Sequence, residues 1–206
     1  MEGRSGKRLR TFEKKVLICS EQKGESPMNR IMTRRLMLRT LTEEDLDSCL
    51  LPTIKTNAGW KPHGTEQEKR RLVENVYIGK EGIWGIVLKE SRNLIGSIGL
   101  MRDYKREYDR VRAIGYAINE EYWNQGFATE AAQAALAYGF EQKRLALISA
   151  YAYPWNKGSK RVLEKCGFQY EGTLKQAAKM YDGSIYDNDC YAITREQWVD
   201  WVIENR

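Results

Sequence analysis

Apolar positions in this chain change period several times, and each change marks an element. In "RRLMLRT", Leu36 and Leu38, with Thr40, alternate as they would along a strand with one buried face. Thr42, followed three residues later by Asp45, is an N-cap signature and predicts a helix from "TEEDL" onward. "TEQEKRRLVENVY" sets Leu72, Val73 and Val76 at helical spacing behind a second cap, Thr65. Three strand-like runs come next, "GIWGIVLKE", "LIGSIGLMR" and "RAIGYAIN", with the charged, turn-like "DYKREYDR" before the third. A helix from near Thr129 carries Ala132, Leu136 and Phe140 on one face, a stripe suited to packing on a sheet. "LALISAYAY" reads as a strand and "NKGSKRVLEKCGF" as a short helix closed by Gly167. "FQYEGTLKQA" and "DNDCYAIT", joined through a Tyr-Asp-Gly turn, supply two final strands, and Trp198, Trp201 and Val202 suit a short covering helix. The order βααβββαβαββ is that of an α/β or α+β domain around a central mixed sheet.

Residues 1–30 stand outside this pattern. They show no sustained period, and "SEQKGESPMN" is loop-like. The expected division is a basic, flexible N-terminal extension over residues 1–30 and a single domain over residues 31–206. A chain of 206 residues that is 42% hydrophobic and 30% charged fits one soluble globular domain. No apolar run is long enough for a membrane span. Near the start the longest, Val16 to Cys19, is too short for a secretory signal.

The net charge of +6 raises nucleic acid as a partner, so its location matters. Residues 1–30 hold eight Lys and Arg against four Glu, +4 of the total, and the rest of the chain interleaves both signs. A basic tail on a nearly neutral domain is weak evidence for a nucleic-acid-binding fold, and a solvated tail accounts for it better. Cys19, Cys49, Cys166 and Cys190 are spaced as reduced thiols, which points to the cytoplasm. With one histidine, His63, and no C-x-x-C pair, no metal is expected.

The stretch "EYWNQGFATEA" carries the first chemical signal. Gly126 removes side-chain bulk where a turn enters a helix, and Thr129 offers a hydroxyl. Consecutive backbone N–H groups can then face outward at the helix N-terminus, where the dipole also favours an anion. The pattern is not a Walker A loop, because no G-K-[ST] follows, nor a G-x-G-x-x-G fingerprint, because only Gly126 is present. Taken alone, a glycine turn before a core helix explains it equally well.

A second motif changes the balance. "IGYAINEEYWNQGFATEA", followed about thirty residues later by "NKGSKRVLEKCGF", resembles the GNAT acetyltransferase superfamily. The first is similar to its acetyl-CoA loop, with the core [QR]-x-x-G-x-[GA]; the second is similar to its N-x-x-S/A helix ending in Gly-Phe. "RRLMLRTLTEEDL", "EGTLKQA" and "YDGSIYDNDCYAIT" resemble its RimJ/RimL-like branch, the ribosomal-protein N-acetyltransferases. The likeness runs from about residue 33 to residue 202.

This resemblance implies a twisted, mostly antiparallel sheet flanked by helices, and an acetyl-CoA-dependent N-acetyltransferase acting on a primary amine. A protein N-terminus, such as that of a ribosomal protein, is the acceptor it implies. A small amine (polyamine, aminoglycoside or amino acid) and a non-catalytic acyl-CoA-binding module stay open, as do a monomer and a homodimer. The backbone of Gln125, Gly126, Phe127, Ala128 and Thr129 would cradle the pyrophosphate. The strand ending at Ile118 would pair with the pantetheine arm, and Asn156 would bind that arm from the other side. Ser159 would steady the departing thiolate. An ordinary N-cap for Asn156 and a helix-surface place for Ser159 are the alternatives.

Three departures bear on the chemistry. Trp123 stands where the superfamily has Gln or Arg, Leu163 where many members have a thiolate-steadying Tyr, and Ala178 where a general-base Glu is expected after "KQA". Glu120, Glu171 and Asp187 are other carboxylates, and nothing in the sequence selects one. Trp60, Trp84, Tyr104, Tyr108, Tyr181 and Tyr186 are candidates for an acceptor cleft or for core and rim. An α-amine of pKa ~7.8 is roughly a quarter neutral at about pH 7.4, whereas a lysine amine at ~10.4 is about a thousandth neutral. A missing base therefore tilts the acceptor toward α-amines.

Overall fold

A computed structural model describes residues 17–19, 30–46, 65–180 and 182–205. His63, Trp60, Tyr181 and the continuation of the helix expected after Thr42 lie outside the described residues. Nine strands among these residues form one sheet: β1 (Leu17–Cys19), β2 (Arg30–Met32), β3 (Leu36–Arg39), β4 (Ile83–Leu88), β5 (Leu94–Arg102), β6 (Val111–Ile118), β7 (Leu147–Ala152), β8 (Gln169–Lys179) and β9 (Ile185–Thr194). Their order across the sheet is β1-β2-β3-β4-β5-β6-β7-β9-β8. Every neighbouring pair is antiparallel except β6 and β7, which run parallel. The mixed, mostly antiparallel sheet is the one expected.

The helices are α1 (Glu66–Val76), α2 (Phe127–Ala137), α3 (Lys157–Lys165) and α4 (Arg195–Glu204). Thr65 caps α1 as expected: its hydroxyl accepts from the Glu68 amide at 3.2 Å, and the Glu68 carboxylate accepts from the Thr65 amide at 2.8 Å. Thr42 and Asp45 form a similar box, opening a tight turn, Glu43–Asp45, after which Leu46 is already helical where the described segment ends. Asp45 has a second task that its spacing did not reveal. Arg39 donates to both of its oxygens, at 2.6 and 2.7 Å, tying the end of β3 to that turn.

Two differences from the periodicity have plain causes. Strands β1 and β2 fall within, or at the end of, the stretch read as an extension. With three residues each, neither offers enough positions to show an alternation. Helix α2 starts at Phe127, two residues before Thr129, because Gly126 takes the left-handed conformation (φ 80°) that only glycine adopts cheaply, and the chain turns there.

The core lies between the sheet and α2, α3 and α4. Ala131, Ala132, Ala134, Ala135, Leu136 and Ala137 are all buried, and α2 packs against β3, β5, β6 and α3. Beyond Ala137 the helix widens into one π-turn, Tyr138–Gln142, which carries Phe140 onto Trp198 of α4 at 5.2 Å between ring centroids. Trp84, a candidate cleft residue, is instead core, edge-on to Tyr138.

Gly167 ends α3 at φ 85°, and a Cβ there would stand 2.7 Å from the Trp201 ring. Gly167→Ala should therefore cost about 1–2 kcal/mol through backbone strain and displacement of Trp201. For a domain of this size, that is a melting temperature lower by about 2–8 °C. Calorimetry on the folded variant checks it; a shift below about 1 °C would show that Trp201 yields freely.

Candidate active site

Strands β6 and β7 pair over only three residues, Val111–Ala113 against Leu147–Ser149. Past that point β6 stays with β5 as far as Ile118, and β7 stays with β9 as far as Ala152. The facing edges of Ile114–Ile118 and Ala150–Ala152 have no strand partner among the described residues, so the sheet opens into a wedge. The Asn119 amide donates to Ile95 on the β5 side, at 2.8 Å. Alternate residues of a strand address alternate edges, so the amides of Ile114, Tyr116 and Ile118 look into the wedge. The Ile118 carbonyl on that edge already accepts from the Trp123 indole N–H, at 2.7 Å. Trp123, the departure from the superfamily motif, thus fastens the end of β6 to the chain that enters α2.

At the wedge mouth the Asn124–Gly126 turn delivers the N-terminus of α2. Asn124 and Gly126 both have positive φ (58° and 80°), and no side chain caps the helix. Its first backbone bond runs from the Glu130 amide to the Gly126 carbonyl, at 3.0 Å. The amides of Phe127, Ala128 and Thr129 therefore have no acceptor among the described residues. Asn124, Gln125 and Gly126 are exposed and Phe127 is buried beneath them. Three acceptor-free N–H groups and a helix dipole meet beside this exposed turn, which suits an anionic phosphate group.

Across the wedge stands α3. Asn156 is its N-cap: the side-chain oxygen accepts from the Ser159 amide at 3.0 Å. Asn156 itself is exposed. The Ser159 hydroxyl lies 3.0 Å from the Tyr116 phenol, which also reaches the Ser159 carbonyl at 3.1 Å. Tyr116 thereby bridges β6 to α3 where the strands have separated. Burial pushes its phenol well above the ordinary tyrosine range, so it keeps its proton at neutral pH. Leu163 is fully buried in the core.

The opposite face of the sheet holds a second polar cluster. Ile148 and Ala150 of β7 belong to the core with α2, so Ser149 and Tyr151 face the other way. Both donate to Asp103, Ser149 at 2.6 Å and Tyr151 at 2.9 Å, and the Lys105 amide adds a third bond at 2.9 Å. Arg106 lies 3.5 Å from the same carboxylate and also pairs with Glu171. Asp103 is only 3% exposed. Burial alone would raise its pKa, but the bonds from Ser149, Lys105 and Tyr151 outweigh this and hold it below the usual carboxylate range. Tyr151 is pushed up to about 12 by burial and by the adjacent carboxylate.

The other carboxylates considered for a base are placed as follows. Glu120 lies exposed in a short turn after β6. Asp187 accepts from Lys175 and from the Gln176 amide, both at 2.9 Å, which closes a bulge in β8 and holds Asp187 below its ordinary range. Ala178 sits in that strand opposite Tyr186. Sequence reasoning missed Tyr116, Asp103, Ser149 and Tyr151, because their partners lie 43 to 48 residues away. No local spacing could have announced them.

A sequence model of the acetyltransferase (GNAT) domain matches residues 35–169, and the chain belongs to that family. It is similar to the uncharacterized N-acetyltransferase YoaA of Bacillus subtilis, 33% identical over 173 residues that cover 79% of this chain and 95% of the relative. Among solved structures it is similar to a GNAT-family acetyltransferase from Bacillus anthracis, with a TM-score of 0.69 and 31% identity over 81% of this chain and 99% of that one. A ribosomal-protein-S5-alanine acetyltransferase from Vibrio fischeri shares the fold, with a TM-score of 0.63 and 20% identity, covering 82% of this chain and 98% of that one. The chain is accordingly an N-acetyltransferase that uses acetyl-CoA as co-substrate.

The Asp103 cluster makes a testable demand on pH. A carboxyl held low in the folded state stabilises it above the unfolded pKa, ~3.9, and that gain disappears as pH falls through the folded value. Asp103→Asn should thus lose about 1.5–3 kcal/mol at pH 7, the range for hydrogen bonds to a charged group. The gap to the parent should narrow steadily below about pH 4. Urea unfolding at several pH values reads this out, and a gap independent of pH would mean the charge is immaterial.

Proposed function

We propose that this N-acetyltransferase acetylates the α-amine of a protein N-terminus, as a RimJ/RimL-like enzyme of the cytoplasm. The observation that carries this reading is the engagement of Asp103, Glu171 and Asp187, which leaves Glu120, exposed in the turn after β6, as the one base candidate without a side-chain partner among the described residues. Asp103 is saturated by Ser149, Tyr151 and Lys105, Glu171 is paired with Arg106, and Asp187 is held by Lys175 and Gln176. Ala178 offers no proton acceptor. An amine that is already partly neutral near pH 7.4 suits such surroundings far better than one that must be stripped of its proton. Fold likeness does not choose the acceptor, since structures sharing it at 20–24% identity include a ribosomal-protein acetyltransferase and a spermidine N-acetyltransferase.

In this reading the amides from Gln125 to Thr129 hold the pyrophosphate of acetyl-CoA, and the open edge of β6 up to Ile118 takes the pantetheine arm as an added strand would. Asn156 flanks the arm from the other side. An amide on that edge can meet the carbonyl oxygen as negative charge develops on it. The amine nitrogen forms the new C–N bond, the C–S bond breaks, and the Ser159 hydroxyl donates to the departing sulfur. Tyr116, still protonated, is hydrogen-bonded to the Ser159 hydroxyl and orients it. Both keep their protons, the ammonium proton released by the acceptor leaves to water, and the thiolate takes up a proton from water as coenzyme A departs.

Ser159→Ala should lower kcat by roughly ten- to a hundredfold, as loss of one transition-state hydrogen bond worth about 1.4–2.7 kcal/mol would. Affinity for acetyl-CoA should stay within about threefold. Steady-state rates within twofold of the parent would return Ser159 to a capping-segment role.

For the acceptor, the rate with N-terminal peptides should follow the neutral fraction of the α-amine and level off near pH 8, on the order of its free pKa. Peptides should exceed spermidine and aminoglycosides by about tenfold or more in kcat/KM, which needs only ~1.4 kcal/mol of differential transition-state binding. A thiol-release screen with both classes decides it. A polyamine or antibiotic turning over fastest would overturn the acceptor and leave the acetyl transfer standing.

A further inference from the structure

The turn that would hold the pyrophosphate is poor in positive charge. From Asn119 to Glu130 the chain has three glutamates and neither lysine nor arginine. A doubly charged phosphate ester brought to that stretch would meet a local surplus of negative charge, which backbone amides offset only in part. The structure brings a cation to it from the other end of the sequence.

Arg35 lies in the turn between β2 and β3. Its backbone amide and its Nε each donate to the Glu130 carboxylate, at 2.8 and 2.7 Å, and Thr33 donates to the same group at 2.7 Å. Burial opposes the Glu130 charge, but the bonds from Thr33 and Arg35 prevail and hold the carboxyl below its ordinary range. The guanidinium is therefore fixed at its root. From there Nη1 donates to the Gln125 carbonyl at 3.0 Å, and the group stacks over the Phe127 ring at 4.3 Å. Its outer nitrogen, Nη2, would stand 3.4 Å from a Cβ on Gly126. That nitrogen has no acceptor among the described residues, and the side chain is about one-third exposed. Glu130 thus takes the Nε–H and Gln125 an Nη1 donor, leaving the Nη2 donors beside the uncapped amides of α2.

We infer that Arg35 is a pyrophosphate-positioning residue: it holds the Gln125–Gly126 turn in shape and gives an Nη2 hydrogen bond to the pyrophosphate of coenzyme A. The assignment rests on reading that turn as the pyrophosphate site. A guanidinium so placed does two things at once. It fixes the Gln125 carbonyl away from the anion, and it puts a permanent positive charge where the local sequence has none. Neither task requires a contact with the acetyl group or the acceptor.

Three ligands and three variants test this by calorimetry or competition binding on the full chain. Coenzyme A and dephospho-coenzyme A both carry the pyrophosphate, whereas pantetheine lacks it. Arg35→Gln should weaken both coenzymes about tenfold or more and leave pantetheine within about twofold. The salt dependence of coenzyme A binding should also become shallower than in the parent, since one charge contact has gone. Arg35→Lys keeps the charge but cannot reach Glu130 and Gln125 together, so it should recover part of the affinity. It also serves as the measurable variant if Arg35→Gln does not fold.

An equal loss for pantetheine would make Arg35 a residue of the fold alone and overturn the assignment. A loss confined to coenzyme A would point to the 3′-phosphate and also overturn it. Gly126→Val separates the two layers of inference. If that change abolishes coenzyme binding while the Arg35 variants bind normally, the turn stands and Arg35 falls. If Gly126→Val binds normally too, the pyrophosphate site itself is elsewhere.

Discussion

Two parallel strands that stop pairing leave backbone donors and acceptors facing a gap, and the rest of this site depends on that one interruption. Buried main-chain groups need partners, so a wedge between β6 and β7 persists only if something else occupies or ties it. Three side chains do the tying. Trp123 takes the Ile118 carbonyl, Tyr116 spans to Ser159 on α3, and Ser149 reaches Asp103 where pairing ends. The remaining amides of the β6 edge are left for an extended ligand, which can bind as an added strand does. Opening the sheet thus creates the binding surface, and the tethers keep it from closing on itself.

The tethers also explain why distant parts of the chain share one function. The β2–β3 turn lies about ninety residues before the Gln125 turn, yet Arg35 and Glu130 make them one polar unit. Asp103, just past the end of β5, organises Ser149 and Tyr151 of β7 together with Arg106 and Glu171. Glu130 in α2 and Asp103 beside β7 are thus a half-buried and a buried carboxylate, each held below its ordinary range by several donors. Isolated surface ion pairs contribute little, but a carboxylate satisfied by two or three fixed donors, as Glu130 and Asp103 are, imposes geometry on all of them.

Much of the architecture was legible in the sequence, and the reason is that its signals are local. The apolar run "LIGSIGLMR", the Thr65 cap and the glycine at the end of α3 each depend on neighbours within a few residues. The same holds for the Gln125–Thr129 stretch, whose glycine announces a turn and whose helix follows at once. What stayed hidden is long-range or very short. Strands of three residues show no period, and the bonds of Arg35, Asp103 and Tyr116 join residues far apart in the chain. Trp123 is the instructive case. The motif comparison marked it as a departure, but only the fold shows that its indole closes the end of β6.

The alanines of α2 set how closely that helix lies on the sheet. Five of them are buried among β3, β5, β6 and α3, where a larger side chain would have to lift the helix bodily. Because the same helix begins at Gly126, lifting it would carry the uncapped amides away from the wedge and from Arg35. The depth of the core is thus the ruler against which the anion patch is aligned. If that patch holds the coenzyme as proposed, errors in packing two turns down the helix would weaken its affinity, so the interior would calibrate the site as well as support it.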